Sequence, residues 1–402
     1  MFTKLARYLR SPTLNILRSE STVASLTKDE ILILLRPPFN NWSSVIREAE
    51  KVVGYPTSFM NLRCLLSDEF ANMALYLRKL VGSNHLVMQT AKNVLYGDNT
   101  NLQPWGLIIL LLSKSVKTTP SLNTKTIEEQ QRTLAELTEM IRTGHLIHKG
   151  IINVPFTKRS KDSESAIFGN KIAILLGDYL LVTANGMLAS LRNQDISYVI
   201  SSALRDLSEG EFFGDRDEQN LPLPGKPNCR KHKDYYNIHF DTKSISIDNV
   251  LGNPRKEWTV RTVFNGASLL GRGCQGAMLL GKQSKETQSI AYNFGCHLGL
   301  AWQAASELQQ LTSKSKEQFC LASAPVLYAL DGNPELYSII DQAKNDVKDV
   351  DYEDLKFNIL KTDAIDRTKA LYEEHAQKAT EYIEDIAQNE STEMIKKLIN
   401  TF

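Results

Sequence analysis

Ile127-Glu128-Glu129-Gln130-Gln131-Arg132-Thr133-Leu134-Ala135-Glu136-Leu137-Thr138-Glu139-Met140-Ile141-Arg142-Thr143-Gly144-His145-Leu146-Ile147-His148 is the stretch that decides the fold. Leu134, Leu137, Ile141 and Leu146 recur near the 3.6-residue period of a helix, and no proline interrupts them. Residues 285–311, 335–347 and 362–400 have the same character, and strand-like alternation is scarce. The stretch 172–189 is long and apolar, broken by Asp178 and Asn185, and reads as a buried helix. Leu107 to Leu112 is uninterrupted but falls far short of the ~18 apolar residues a bilayer requires. The pattern predicts an all-α fold of packed helices with no transmembrane segment.

Residues 209–258 break the pattern. They hold Pro222, Pro224, Pro227 and Pro254, four of the chain's 13 prolines, with Gly210, Gly214, Gly225 and Gly252. Breakers at that density predict a long loop or a disordered insertion. The first 19 residues contain Lys4, Arg7, Arg10 and Arg18 and no acid, with Leu5, Tyr8, Leu9 and Leu14 near helical spacing. This composition predicts a mitochondrial transit peptide or a disordered end over 1–25, ahead of one helical domain over 26–402. Thr27-Lys28-Asp29-Glu30 has capping-box spacing and predicts a short helix start. A net charge of +1 argues against nucleic-acid binding through bulk charge. The 5 cysteines, Cys64, Cys229, Cys274, Cys296 and Cys320, form no metal or disulfide pattern.

Chemistry is suggested by two segments. One runs from Glu139 through His148-Lys149-Gly150 to Asn153; the other is Gly299-Leu300-Ala301-Trp302-Gln303-Ala304-Ala305-Ser306-Glu307-Leu308-Gln309-Gln310. Their surroundings resemble the two aspartate-rich motifs of the trans-polyprenyl diphosphate synthase family. Gly169 to Leu181 and Ala322 to Leu330 are similar to the segments that follow those motifs. Val53 to Glu69 is similar to the degenerate subunit of the heteromeric enzymes that make the ubiquinone tail. The resemblance implies an isoprenoid-synthase-like helical bundle around a central cavity.

In active members each motif carries an Asp-Asp-x-x-Asp core. Here those positions fall on Lys149, Gly150 and Asn153, and on Ser306, Glu307 and Gln310. The departing pyrophosphate of an allylic substrate is neutralised by Mg²⁺, which needs near-octahedral oxygen ligation, usually including carboxylates. Lys149 contributes +1 and Glu307 −1, so the six positions sum to zero and a multi-ion cluster has nothing to hold it. The basic stretch that grips isopentenyl diphosphate in the family is also lost, with Leu102, Gln103 and Trp105 in its place. Asn265-Gly266 stands where the family has Lys-Thr. Lys158-Arg159 falls where the family has an Arg-Arg pair, and reads either as a phosphate contact or as a solvated loop pair. Lys171 is a further candidate phosphate contact; it and Asp178 resemble family positions, although an isolated base and acid on a long helix are more often structural.

The resemblance therefore implies a non-catalytic subunit with no catalytic residue and no metal or cofactor of its own. Its partner would be a catalytic, Mg²⁺-bearing subunit 1, in a heterodimer or heterotetramer in the mitochondrial matrix. An isoprenoid diphosphate or the product chain is the implied small-molecule partner. The alternatives are a prenyl-lipid hand-over protein that uses the cavity without chemistry, and an active synthase with unusual ligands. His145 and His148, at i and i+3, lack a third metal ligand in sequence; Cys229, His232 and His239 lack a fourth. Gly271-x-Gly273-x-x-Gly276 lies inside a helical run and reads as small-residue helix packing.

Overall fold

The computed structural model describes residues 41–55, 57, 103–116, 124–154, 161–227, 250–312, 318–342 and 345–401. The 1–25 segment, the capping box at 27–30, most of the stretch 53–69, Leu102, Lys158-Arg159 and the Cys229, His232 and His239 group lie outside the described residues. Among the described residues the fold is all-α, with a single isolated bridge between Arg216 and Pro222.

The helices are α1 (Asn41–Val53), α2 (Trp105–Ser115), α3 (Thr124–Lys149), α4 (Lys161–Ser190) and α5 (Gln194–Gly210). They continue with α6 (Pro254–Thr262), a π segment (Val263–Ala267), α7 (Ser268–Leu280) and α8 (Lys285–Thr312). The C-terminal part holds α9 (Ala324–Gly332), α10 (Tyr337–Gln342), α11 (Tyr352–Ile359), α12 (Ala364–Ile386) and α13 (Glu390–Thr401). The fully apolar run Leu107–Leu112 is buried along α2, so this short helix is core on all sides. Leu134, Leu137 and Ile141 bury the inner face of α3, but Leu146 in the same periodic series is 49% exposed.

Small residues set the spacing of the central helices. A Cβ on Gly295 of α8 would lie 2.7 Å from the Gly271 Cα of α7, and one on Gly273 would meet Ile109 at 2.6 Å. The glycines of the 271–276 run are packing positions. The core divides at α8. Phe294, Leu298 and Trp302 belong to one buried cluster with residues of α2, α3 and α7, while Cys296, Leu300 and Ala304 belong to a second with residues of α9 and α12.

Two expectations are corrected. The helix α6 begins at Pro254, inside the segment read as loop or disorder, with the Asn253 side chain accepting from Lys256 N as its cap. Residues 211–227 form a loop fastened by buried charge: Arg261 donates to Phe213 O and Leu223 O, and Glu257 accepts from Gly225 N, Gly252 N and Arg261 Nε. The stretch 172–189 is also not buried throughout. Ile172, Ala173, Leu176, Leu180, Ala184 and Leu188 pack inward, while Ile174, Leu175 and Val182 face out. Ala166–Ser190 is long and apolar enough to cross a membrane by length and composition. Its inner face is instead closed against α3, where a Gly144 Cβ would lie 3.1 Å from Gly177 O.

Candidate functional site

The first motif ends α3. Lys149, its last residue, donates from Nζ to Asn265 Oδ1 at 2.8 Å and lies 3.3 Å from Glu211 Oε1. Asn265 sits in the π segment, so the first motif meets the segment whose family Lys-Thr is missing. Gly150 closes the helix end with its N–H on Ile147 O, and is buried. Asn153 is tied to the 217–221 turn: its N–H donates to Gln219 Oε1 at 3.0 Å, and its side chain donates to Glu218 O. Lys149 and Asn153 thus commit side-chain polar groups to neighbouring elements.

In the second motif, near the end of α8, Glu307 is buried, Ser306 half-buried and Gln310 exposed. Ser306 Oγ donates to Trp302 O within the helix, and Gln310 Nε2 donates to Gln318 O. Glu307 is 7% exposed and accepts three hydrogen bonds. Trp258 Nε1 and Ala324 N donate to its Oε2 at 2.9 and 2.8 Å, and Gln303 Nε2 donates to its Oε1 at 2.8 Å. Burial raises its carboxyl to about 7 against the opposing pull of those three donors. Ala324 is the first residue of α9, so the carboxylate also sits where a helix N-terminus favours negative charge.

Removal from water raises the Cys320 thiol and the Glu307 charge raises it further, while the Ala322 N–H, Arg261 and Lys149 pull it down. Mg²⁺ requires oxygen ligands with free lone pairs. The six positions offer an ammonium, a glycine, a hydroxyl, two neutral amides and one carboxylate that already accepts three hydrogen bonds, so they do not fit a multi-ion Mg²⁺ cluster.

The surroundings are filled as well. The Trp105 indole lies 2.6 Å from where a Gly266 Cβ would stand, and Gly266 holds φ +157, a conformation that favours glycine. Arg142 stacks 4.3 Å from that ring and donates to Gln103 O at 2.6 Å, and burial lowers its guanidinium. His145 and His148 go to different neighbours. His145 lies 3.8 Å from Glu211, and burial, then the Lys149 charge, lowers it to about 4. His148 lies 3.4 Å from Asp178. Lys171 is exposed on α4 and lines a groove together with Ile152 and the motif residue Asn153. Sequence reading missed Glu211, Trp258, Arg142 and Ala324 N. No motif marks them, because their roles arise from contacts between distant segments.

The fold and these two segments define a prenyl-synthase-type protein. The chain matches the family model described as polyprenyl synthetase over residues 105–244. It is 33% identical over 376 residues to the all trans-polyprenyl-diphosphate synthase PDSS2 of Homo sapiens, covering 89% of this chain and 86% of that protein. The chain belongs to the polyprenyl synthetase family. It is also 30% identical over 297 residues to the decaprenyl-diphosphate synthase of Dictyostelium discoideum, across 72% of this chain and 56% of that one. The solved decaprenyl diphosphate synthase of Rhodobacter capsulatus shares the fold, with a TM-score of 0.57 at 14% identity over 90% of this chain and 98% of that one.

Proposed function

We propose that this chain is a non-catalytic subunit of a heteromeric all-trans-polyprenyl diphosphate synthase. Its partner, a catalytic subunit 1 with intact aspartates, holds the Mg²⁺. The complex condenses isopentenyl diphosphate onto an allylic diphosphate by ionisation, attack and proton loss, repeated to the long chain that becomes the ubiquinone tail. The observation that carries this reading is the enclosure of Glu307. The one carboxylate left among the six motif positions has its oxygens on three N–H donors. The PDSS2 likeness supports subunit character, and the mitochondrial name of the Yarrowia lipolytica hexaprenyl pyrophosphate synthase relative supports a mitochondrial site of action, which we take to be the matrix.

The test is co-expression with an Asp-Asp-x-x-Asp homologue. Copurification of the two chains, with long-chain product formed only by the pair, is the expected result. A stable chain that ignores the homologue and carries extracted isoprenoid would replace this reading with that of a prenyl-lipid hand-over protein.

A further inference from the structure

Three buried polar atoms gather at the end of α3 with no hydrogen-bond partner among the described residues. They are His145 Nε2, Glu211 Oε1 and Arg216 Nε. A buried group left unbonded costs about 1–3 kcal/mol, so three in one cluster mark a place built for a ligand.

The helices bring them together. His145 and Lys149 stand at i and i+4, on one face of the last turns of α3. Glu211 follows α5 directly, and Arg216 is held in the next loop by donating to Gly210 O and Asn220 O, both at 2.8 Å. Glu211 is their shared neighbour. Its Oε1 lies 3.3 Å from Lys149 Nζ and 3.8 Å from His145 Nε2, and its Oε2 lies 3.4 Å from Arg216 Nη1. Charge-assisted N–H···O bonds run to about 2.7–2.9 Å. The carboxylate is therefore drawn to all three groups and locked to none.

Charge and bonding capacity indicate the ligand. Two cations, Lys149 and Arg216, face one carboxylate, so the cluster is positive and suits an anion. The carbonyl end of α3 opposes an anion only weakly. His145 is neutral near pH 7, because burial and then the Lys149 charge lower it to about 4. With its ring proton on Nε2 it adds a third donor. Three donors and one acceptor match a tetrahedral oxyanion with bare oxygens and one O–H, the form of inorganic phosphate near neutral pH. Sulfate has no O–H to give Glu211, and a phosphate monoester has mostly lost its last proton by pH 7. A Mg²⁺-bound diphosphate would bring metal against Lys149. Side-chain exposures of 35% for Lys149 and 26% for Glu211 leave the cluster open to solvent on one side.

We propose that His145, Lys149, Glu211 and Arg216 form a metal-independent site for inorganic phosphate, with three N–H donors on its oxygens and Glu211 accepting its O–H. The inference goes beyond the subunit reading above and does not rest on it, since this chain alone supplies every group.

The test is calorimetric titration of the purified full chain with potassium phosphate and with potassium sulfate, in chelator and without Mg²⁺. Phosphate should bind, and sulfate should bind more weakly by roughly ten- to a hundredfold, the worth of one hydrogen bond to a charged group. Lys149→Met should weaken phosphate by a similar factor. Glu211→Gln replaces the acceptor with an amide that can donate, and should erase the preference by letting sulfate bind as tightly as phosphate. Such a switch in selectivity cannot come from lost folding. As a second reading, phosphate should raise the melting temperature of the wild type and leave that of Lys149→Met unchanged. No phosphate binding, equal binding of sulfate by the wild type, or a need for Mg²⁺ would overturn the proposal. So would phosphate binding that Lys149→Met and Glu211→Gln leave unaltered, because the anion would then sit elsewhere.

Discussion

The ends of α3 and α8 carry corresponding motif positions and depart from an aspartate ligand set in opposite ways. At the end of α3 the change is one of charge. Lys149 stands where a carboxylate would be, partly exposed, joined to Asn265 and Glu211. At the end of α8 a carboxylate persists in Glu307, but its surroundings have changed. It is buried, fixed by Trp258, Gln303 and Ala324, and pushed up to about 7. A retained acid is thus no evidence of a retained metal site; what decides is whether its lone pairs are free. The comparison also separates roles in stability, since a buried, fully bonded carboxyl matters more to the fold than a half-exposed ammonium.

The largest expected effect is at the buried end. Glu307→Ala removes one acceptor and leaves the Trp258 and Ala324 N–H groups without it in a dry site. Loss of about 2–4 kcal/mol is expected in denaturant unfolding. Glu307→Gln keeps an acceptor for Trp258 and Ala324, and Gln303 can turn its amide to match, so under about 1.5 kcal/mol is expected. Equal losses in the two variants would show that the hydrogen-bonded hub is not what stabilises this region.

Stability against pH sharpens the same comparison. The folded chain holds a proton on Glu307 between 4.5 and about 7 that the unfolded chain has released. This contribution is fully present below 4.5 and lost as pH rises through 7. His297 and His375, paired Nδ1 to Nδ1 at 2.8 Å between α8 and α12, are both lowered by burial from 6.5. Their contribution is present above 6.5 and lost as pH falls. The two effects oppose one another between 4.5 and 6.5. Relative to wild type, Glu307→Gln should therefore gain stability as pH rises from 4.5 to 7, by on the order of 3 kcal/mol. Thermal melts of both proteins across that window check the sign, and a constant difference would contradict it.

At the exposed end the effect should be small. Lys149→Met removes a half-exposed pair and should cost under about 1 kcal/mol, because surface ion pairs contribute little. A loss as large as that of Glu307→Ala would erase the contrast. Lys149→Asp with Gly150→Asp and Asn153→Asp should yield no elongation of an allylic diphosphate. One rebuilt carboxylate cluster would still face an enclosed Glu307, with Trp105 against Gly266. Product made by that triple variant alone would mean that charge at α3 was the sole defect.

Much of the helical architecture was legible because burial imposes a period. Leu134, Leu137 and Ile141 bury as their spacing requires, and the glycines at 271–276 pack helices. Leu146 misled because a period continues whether or not a neighbour is there to cover it. Pro254 was read as a breaker, yet proline after an Asn cap suits the first turn of a helix. The outer face of α4 was read as core because apolar composition does not say which side is covered. The identities at the six motif positions were plain in the sequence, but the fate of Glu307 was not. Its donors Trp258 and Ala324 are 49 and 17 positions away and are joined to it only by tertiary packing.

The most direct measurement is the activity of the purified chain alone with isopentenyl diphosphate, an allylic primer and Mg²⁺. No elongated product is expected, with long-chain diphosphate appearing once an Asp-Asp-x-x-Asp homologue is added. Sustained turnover by the lone chain, free of any other synthase, would contradict the central claim that its site has lost the means to hold Mg²⁺.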